Sequence, residues 1–263
     1  MKRLTKKQIE SIKNLSDNGL SLRKIHKITD IPLSTIQYRA NKDKKRPRIK
    51  AISLPDSDFL KGEIIGAFAG DGNYFYDCLG RCRKHNIRFF LSYEDDKEYK
   101  NYLFNLLKSL GLSVNVYVKK YKGKPSCFQI YVSSIEFIRF IKKYLEWKDQ
   151  KTYSVRLRKD INYSKEFLFG FARGLMDTDG FVESYSVACG TVSKELIKNL
   201  REIFMLANIP ARVIEKKRNP PRKNLFLTRV KKGNLLNYYK NIGFSNSRKE
   251  KKLLEIMNGA AQI

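Results

Sequence analysis

The chain has 263 residues, 42% of them hydrophobic, which excludes a disordered chain and allows one or two domains with real cores. Its 54 Lys and Arg against 26 Asp and Glu leave a formal net charge of +28, a self-repulsion that asks for a polyanionic partner, nucleic acid first. No apolar run is long enough for a membrane span, and no disulfide framework or zinc spacing emerges from Cys78, Cys82, Cys127, Cys189 and His85, so a reducing compartment (cytoplasm or an organelle matrix) is expected rather than secretion.

Residues 1–41 read as three short helices. Ile9, Ile12 and Leu15 mark the first, Asn18-Gly19 stops it, and Ser21 caps a second carrying Leu22, Ile25 and Ile28. Thr29 to Pro32 turns the chain, and Ser34 is expected to cap the third, residues 35–41. Gly19-Leu20-Ser21-Leu22-Arg23-Lys24-Ile25 followed by Ile31 to Arg39 resembles the helix-turn-helix modules of resolvases and sigma factors. That resemblance implies a third helix in the major groove, with Ser34, Thr35, Gln37, Tyr38 and Arg39 at bases and phosphates. Residues 42–55 are rich in Lys, Arg and Pro and read as a basic linker.

Residues 56–150 then read as α-β-β-α-β-β-α. Helices are expected over 58–70, 97–110 and 134–144, and strands over 74–79, 87–93, 114–121 and 127–132. Residues 151–263 repeat the order: helices over 164–178, 194–207 and 235–242, and strands over 180–183, 186–191, 212–217 and 225–230. A lysine-rich helix over 247–257 follows.

The lead helices are copies. A spacing of 108 residues separates Gly66 from Gly174, Asp71 from Asp179 and Gly72 from Gly180. Gly62, Gly66 and Gly70 recur every fourth residue, as do Gly170, Gly174 and Thr178, making one side-chain-poor ridge on each helix. Several glycines inside a helix cost about 1 kcal/mol each relative to alanine, so another backbone must approach them closely. Each helix ends in Asp-Gly, where the glycine suits a left-handed cap. The aspartate faces the negative end of the helix dipole, which is unfavourable. If the ridges meet, two carboxylates emerge together and want a hard cation such as Mg2+.

At these residues the chain resembles the LAGLIDADG homing endonucleases. Gly174-Leu175-Met176-Asp177-Thr178-Asp179-Gly180 is a close match; Ile65-Gly66-Ala67-Phe68-Ala69-Gly70-Asp71-Gly72 departs from it at Ala69. The resemblance implies an α+β fold: two pseudo-symmetric repeats forming a saddle of antiparallel sheets, beside the small all-α module. It implies a monomeric enzyme that hydrolyses double-stranded DNA with Mg2+ or Mn2+, while Ca2+ binds without cutting. Asp71 and Asp179 would hold the metal, and the carbonyls of Gly70 and Thr178 would add ligands. The family also places a basic residue near the metal beyond the third helix of each repeat. Lys148 or Lys151 fits in the first and Arg248 or Lys249 in the second; Lys148 and Lys249 are assigned. DNA contacts are expected from Arg81, Arg83, Arg88, Lys120, Gln129, Arg212, Lys216, Arg218 and Arg229, which lie on strands and their turns. The alternative is a non-cutting binder of the same fold, an intron RNA maturase or a transcription regulator, with structured intron RNA as the partner in the first case.

Overall fold

The computed structural model describes residues 4–41, 51–77 and 84–259. Most of the basic linker, and Cys78, Arg81, Cys82 and Arg83, lie outside these residues. The chain forms two compact units, residues 1–50 and 51–263.

In the first unit, α1 (Lys6–Asp17), α2 (Leu22–Thr29) and α3 (Leu33–Asn41) enclose a core of Ile12, Ile25, Ile31, Ile36 and Ala40. Thr5 and Gln8 form a capping box on α1, and Ser21 accepts from the Lys24 amide on α2. Asp30 closes α2 in the left-handed region at φ 50°, and His26 ties the turn through Nδ1 to the Ile31 carbonyl at 2.8 Å. The expected cap on α3 is corrected. The Pro32 carbonyl accepts from Thr35 and Ile36 at 2.9 and 3.0 Å, so Ser34 lies inside the first turn. Proline has no N–H to satisfy and a helical φ already set, which lets the helix begin beside it.

In the second unit the first half comprises α4 (Asp58–Asp71), β1 (Gly72–Asp77), β2 (Lys84–Ser92), α5 (Lys97–Ser109), β3 (Val114–Tyr121), β4 (Lys124–Ser133) and α6 (Ile135–Tyr144). After β5 (Leu145–Glu146), α7 (Lys151–Ser154) and β6 (Arg156–Leu157), the second half follows: α8 (Lys165–Asp179), β7 (Gly180–Glu183), β8 (Ser186–Thr191), α9 (Lys194–Leu206), β9 (Val213–Lys216), β10 (Leu225–Lys231) and α10 (Leu235–Asn241), with α11 (Ser247–Gly259) last. Two antiparallel sheets result, in the orders β1-β2-β4-β3 and β7-β8-β10-β9. One face of each sheet is apolar and packs on helices. Ile87, Phe89 and Leu91 of β2 share a core with Tyr99, Leu103 and Leu107 of α5, and Val187 and Cys189 of β8 with Leu196, Leu200 and Phe204 of α9. Val114, Val116 and Val118 of β3 share one face, opposite Val132, Ile130 and Phe128 of β4; Val114 is buried, and Val116 and Val118 are exposed on this edge strand.

The two lead helices, α4 and α8, form the centre of this unit, backbone against backbone. A methyl on Gly62, Gly66 or Gly174 would lie 2.0 Å from the carbonyl oxygens of Phe167, Phe171 and Glu63, and one on Gly170 would lie 1.9 Å from that of Phe59. Each glycine therefore points a hydrogen at the opposite backbone, where any side chain would collide. Ser57 and Ser164 cap the helices, and Ser164 Oγ also donates to Asp58 Oδ2 at 2.8 Å across the seam.

The glycines after the two aspartates do a different job from the one expected. Gly72 (φ −72°, ψ 137°) and Gly180 (φ −78°, ψ 155°) are extended, not left-handed. Each begins a strand that doubles back against its own helix. A methyl would lie 2.5 Å from the Phe68 carbonyl oxygen at Gly72 and 2.4 Å from that of Met176 at Gly180.

Candidate functional site

The packed ridges bring the ends of α4 and α8 together. Asp71 and Asp179 are their last helical residues, and both are half-buried. A methyl on Gly70 would sit 3.3 Å from the Asp179 carboxyl carbon and 2.1 Å from Thr178 Oγ1, which itself donates to the Gly174 and Leu175 carbonyls. Gly70 thus leaves room for the acid of the opposite half. Among the described residues none donates a hydrogen bond to either carboxylate.

Two lysines stand behind the acids. Lys151 Nζ, on α7, donates to the carbonyls of Phe68 (2.6 Å), Gly70 (2.9 Å) and Gly72. Lys249 Nζ, on α11, donates to those of Met176 (3.0 Å), Asp177 (2.6 Å) and Thr178 (3.1 Å). Each ammonium occupies the C-terminal end of one lead helix, where orphan carbonyls and the dipole favour a cation. The assignment of Lys148 is corrected: its side chain is exposed, and its backbone pairs with Ser154 Oγ. The four-residue α7 turns Lys151 inward instead. The Gly70 and Thr178 carbonyls, expected as metal ligands, each accept from one of these ammoniums.

The charges are crowded. Burial, and then the charge of Asp179, push the Asp71 carboxyl up to about 7. Burial also raises Asp179, against the pull of Lys151 and Lys249. Burial lowers Lys151 to about 8, although both acids favour its charge. No cluster of three acidic, His or Cys groups suited to a metal exists among the described residues. Two unpaired carboxylates, open on one side, nevertheless fit a hard cation that keeps waters or takes phosphate oxygens for its other positions.

Behind this site lies a second acid pair. Glu63 and Asp177 are buried, and burial raises both. Asp177 Oδ1 accepts from the Ser245 and Asn246 amides at 3.0 and 2.9 Å, just ahead of α11, while Glu63 Oε1 accepts from Ser245 Oγ at 2.6 Å. Asn246 Nδ2 reaches Asp96 of the first half at 2.9 Å, so this segment bolts the halves together and presents Lys249. Ala69 departs from the motif at the position matching Asp177.

Protons follow from this crowding. Asp71, Asp179, Glu63 and Asp177 all hold protons more tightly folded than unfolded, with Asp71 pushed up to about 7 and Asp177 to about 8. The native state binds more protons than the unfolded chain between those values and the ordinary carboxylate range, so stability falls as pH rises. The surface acids with lowered values, Asp58, Asp160 and Glu195, have finished titrating by then. Thermal unfolding of the metal-free protein between pH 5 and pH 8 should show a loss on the order of 1–2 kcal/mol, or about 2–8 °C. Asp71→Asn should remove part of that slope. A melting temperature that rises throughout this window would contradict the crowding.

Residues 166–243 match the family model of the LAGLIDADG-like domain. The chain has the LAGLIDADG fold. It is similar to I-DmoI in complex with DNA and Ca at a TM-score of 0.55 and 11% identity, covering 70% of this chain and 89% of that one. It is also similar to full-length DUF199/WhiA from Thermatoga maritima, at a TM-score of 0.52 and 18% identity, covering 79% and 62%. Among curated proteins, a replication factor C small subunit of Methanocaldococcus jannaschii is 30% identical over 80% of this chain, which spans 11% of that protein's length. An uncharacterized protein of the same organism is 22% identical over 95% of this chain and 92% of its own.

In this LAGLIDADG fold, strand pairing assigns the expected contact residues to faces. Arg88 and Gln129 lie on the free face of the first sheet, and Lys216 and Arg229 on that of the second, with Arg212 just before β9. Lys120 sits at the bulge in the β3–β4 hairpin, and Arg218 lies in the β9–β10 connection. Ser34, Gln37 and Tyr38 are exposed on α3, and the Arg39 guanidinium lies 5.5 Å from the Tyr38 ring centroid. The charge-led reading missed the rings between the charges. Phe75, Phe90, Tyr117 and Tyr131 share the free face of the first sheet with Arg88 and Gln129. The period-2 alternation of β2 and β3 already placed Phe90 with Arg88, and Tyr117 opposite the valine face.

Proposed function

We propose that the chain is a divalent-cation-dependent endonuclease of double-stranded DNA, active as a single copy. The observation that carries this is the meeting of Asp71 and Asp179 at the ends of two backbone-packed helices, each backed by a lysine. Both acids come from one chain, so one copy completes the site. I-DmoI, of the same fold, has been solved with DNA together with Ca, Mn or Mg.

Asp71 and Asp179 are the residues to hold the cations, one for each DNA strand. When bound, the cations supply an acidified water and charge for the leaving oxygen. The chain's own contribution is position. The glycine seam holds the two carboxylates at a set separation, and Lys151 and Lys249 keep the helix ends neutralised beneath them. The remaining positive charge attracts the phosphate backbone, and α3 adds a second, helix-turn-helix contact to DNA.

A non-cutting RNA binder is the second reading, favoured by the rings on the first sheet, on which unpaired bases can stack. Incubating the full chain with a randomised duplex library separates the two. With Mg2+ the library should yield cut molecules sharing one sequence, and with Ca2+ the same sequence bound and intact. A library left intact in both Mg2+ and Mn2+ overturns the cutting reading.

A further inference from the structure

Each lysine of the site sits on one lead helix while its backbone is braced from the half that carries the other. Lys249 Nζ lies on the end of α8, in the second half. The four residues before it, Ser245 to Arg248, each touch an acid of the first half. Ser245 Oγ donates to Glu63 Oε1 at 2.6 Å, Asn246 Nδ2 to Asp96 Oδ1 at 2.9 Å and Ser247 Oγ to Glu98 Oε2; the Arg248 guanidinium lies 3.5 Å from Asp96 Oδ1. Asp96 is itself fixed, its Oδ2 accepting from the Ser92 amide at 3.1 Å. Asp177, on α8, holds the Ser245 and Asn246 amides from the other side.

Lys151 shows the converse. Its Nζ lies on the end of α4, in the first half. The Val155 amide donates to the Lys151 carbonyl at 2.9 Å and closes α7, and the Val155 carbonyl accepts from Ser193 Oγ at 2.8 Å. Two residues on, the Leu157 amide donates to Asn199 Oδ1 at 3.0 Å. Lys223 Nζ lies 3.7 Å from the Tyr153 ring centroid. Ser193, Asn199 and Lys223 all belong to the second half. Ser193 is 0% exposed and Asn246 1%, so both braces lie away from water, where a hydrogen bond is stronger and its loss costlier.

An ammonium on a flexible stem goes where its backbone allows, and a misplacement of about 1 Å in a reacting site can cost on the order of 100-fold in rate. The backbone of each lysine is set at the joint between the halves. We propose that the halves position each other's lysines crosswise: Asp96 of the first half sets Lys249 on α8, and Ser193 of the second sets Lys151 on α4. Asp96 and Ser193 are then positioning residues, and neither lysine is in place unless the halves are docked. This rests on the reading of the acids and lysines as a cleavage site, and adds how the two cuts depend on one another.

The test uses the full chain carrying Asp96→Ala or Ser193→Ala. Asn199→Ala is a second variant on the latter side, because it leaves the Ser193 cap of α9 intact. Lys249→Met and Lys151→Met identify the strand that each lysine serves. On an end-labelled duplex carrying the selected site, with Mg2+, Asp96→Ala should slow the strand that depends on Lys249 about 10- to 100-fold and leave the other within about threefold. Ser193→Ala and Asn199→Ala should do the reverse, whereas a merely weakened fold slows both strands. A second readout needs no cutting: acylation of lysines by a succinimidyl ester in the metal-free, DNA-free chain, followed by peptide mass spectrometry. Asp96→Ala should speed labelling of Lys249 on the order of 10-fold and leave Lys151 within about twofold, with the reverse for Ser193→Ala. Both strands slowed alike by one variant, or labelling that rises at neither lysine or equally at both, overturns the proposal. A chain that cuts nothing but labels crosswise sinks the cleavage reading alone; one that cuts without crosswise labelling sinks this inference alone.

Discussion

Asp71→Asn and Asp179→Asn should each turn the proposed double-strand cut into a nick, and the double variant should cut neither strand. Asparagine keeps the shape and removes the charge, so a cation at that helix end loses its one anionic protein ligand. The ammoniums of Lys151 and Lys249, bonded to the same helix ends, then repel it without opposition. The expected loss on the affected strand is at least about 100-fold, in line with removing a main electrostatic contributor. Duplex binding in Ca2+ should hold or tighten, since a negative charge has left a polyanion site. The measurement is supercoiled plasmid carrying the selected site, resolved into supercoiled, nicked and linear forms. Undiminished linear product from either single variant would remove these acids from the chemistry. The same substitutions should raise metal-free stability near pH 8, because Asp71 is pushed up to about 7 by burial and by Asp179. A variant that is better folded and inactive cannot be explained as damaged.

Gly66→Ala and Gly174→Ala should damage the fold more than any surface change. The added methyls would lie 2.0 Å from the carbonyl oxygens of Phe171 and Glu63, both backbone atoms that no rotamer change can move. The helices must part along a seam that both hydrophobic layers depend on, at a cost on the order of 3–5 kcal/mol. Helix propensity runs the other way, since alanine is favoured over glycine by about 1 kcal/mol, so the sign separates packing from propensity. Gly233→Ala is the control, with nothing within 4 Å of the new methyl. Urea unfolding gives the comparison. A loss below about 1 kcal/mol at Gly66 would mean that the helices are not in backbone contact.

Much of this was legible in the chain itself. The spacing of 108 residues, the glycine every fourth position and the terminal Asp-Gly specified two like helices with bare ridges, because a helix turns its side chains by a constant angle. Alternation along residues 114–121 and amphipathicity over 97–110 named strands and helices for the same local reason. What the sequence could not rank was reach. Lys148 and Lys151 are three residues apart in a lysine-rich stretch; a single turn of helix, too short to leave a periodic signal, decides which one enters the site. Nor could local spacing show that Gly72 and Gly180 are needed against their own helices, in extended rather than left-handed backbone. The free face of the first sheet is equally tertiary. It depends on register between strands more than 30 residues apart, such as Phe90 with Gln129, and only pairing brings those side chains onto one surface. The chain by itself determined the repeat, the ridges and the two acids, all written in local periods. The folded molecule alone determined which cations, carbonyls and rings those acids and sheets would have as neighbours, since that depends on contacts between residues far apart in the chain.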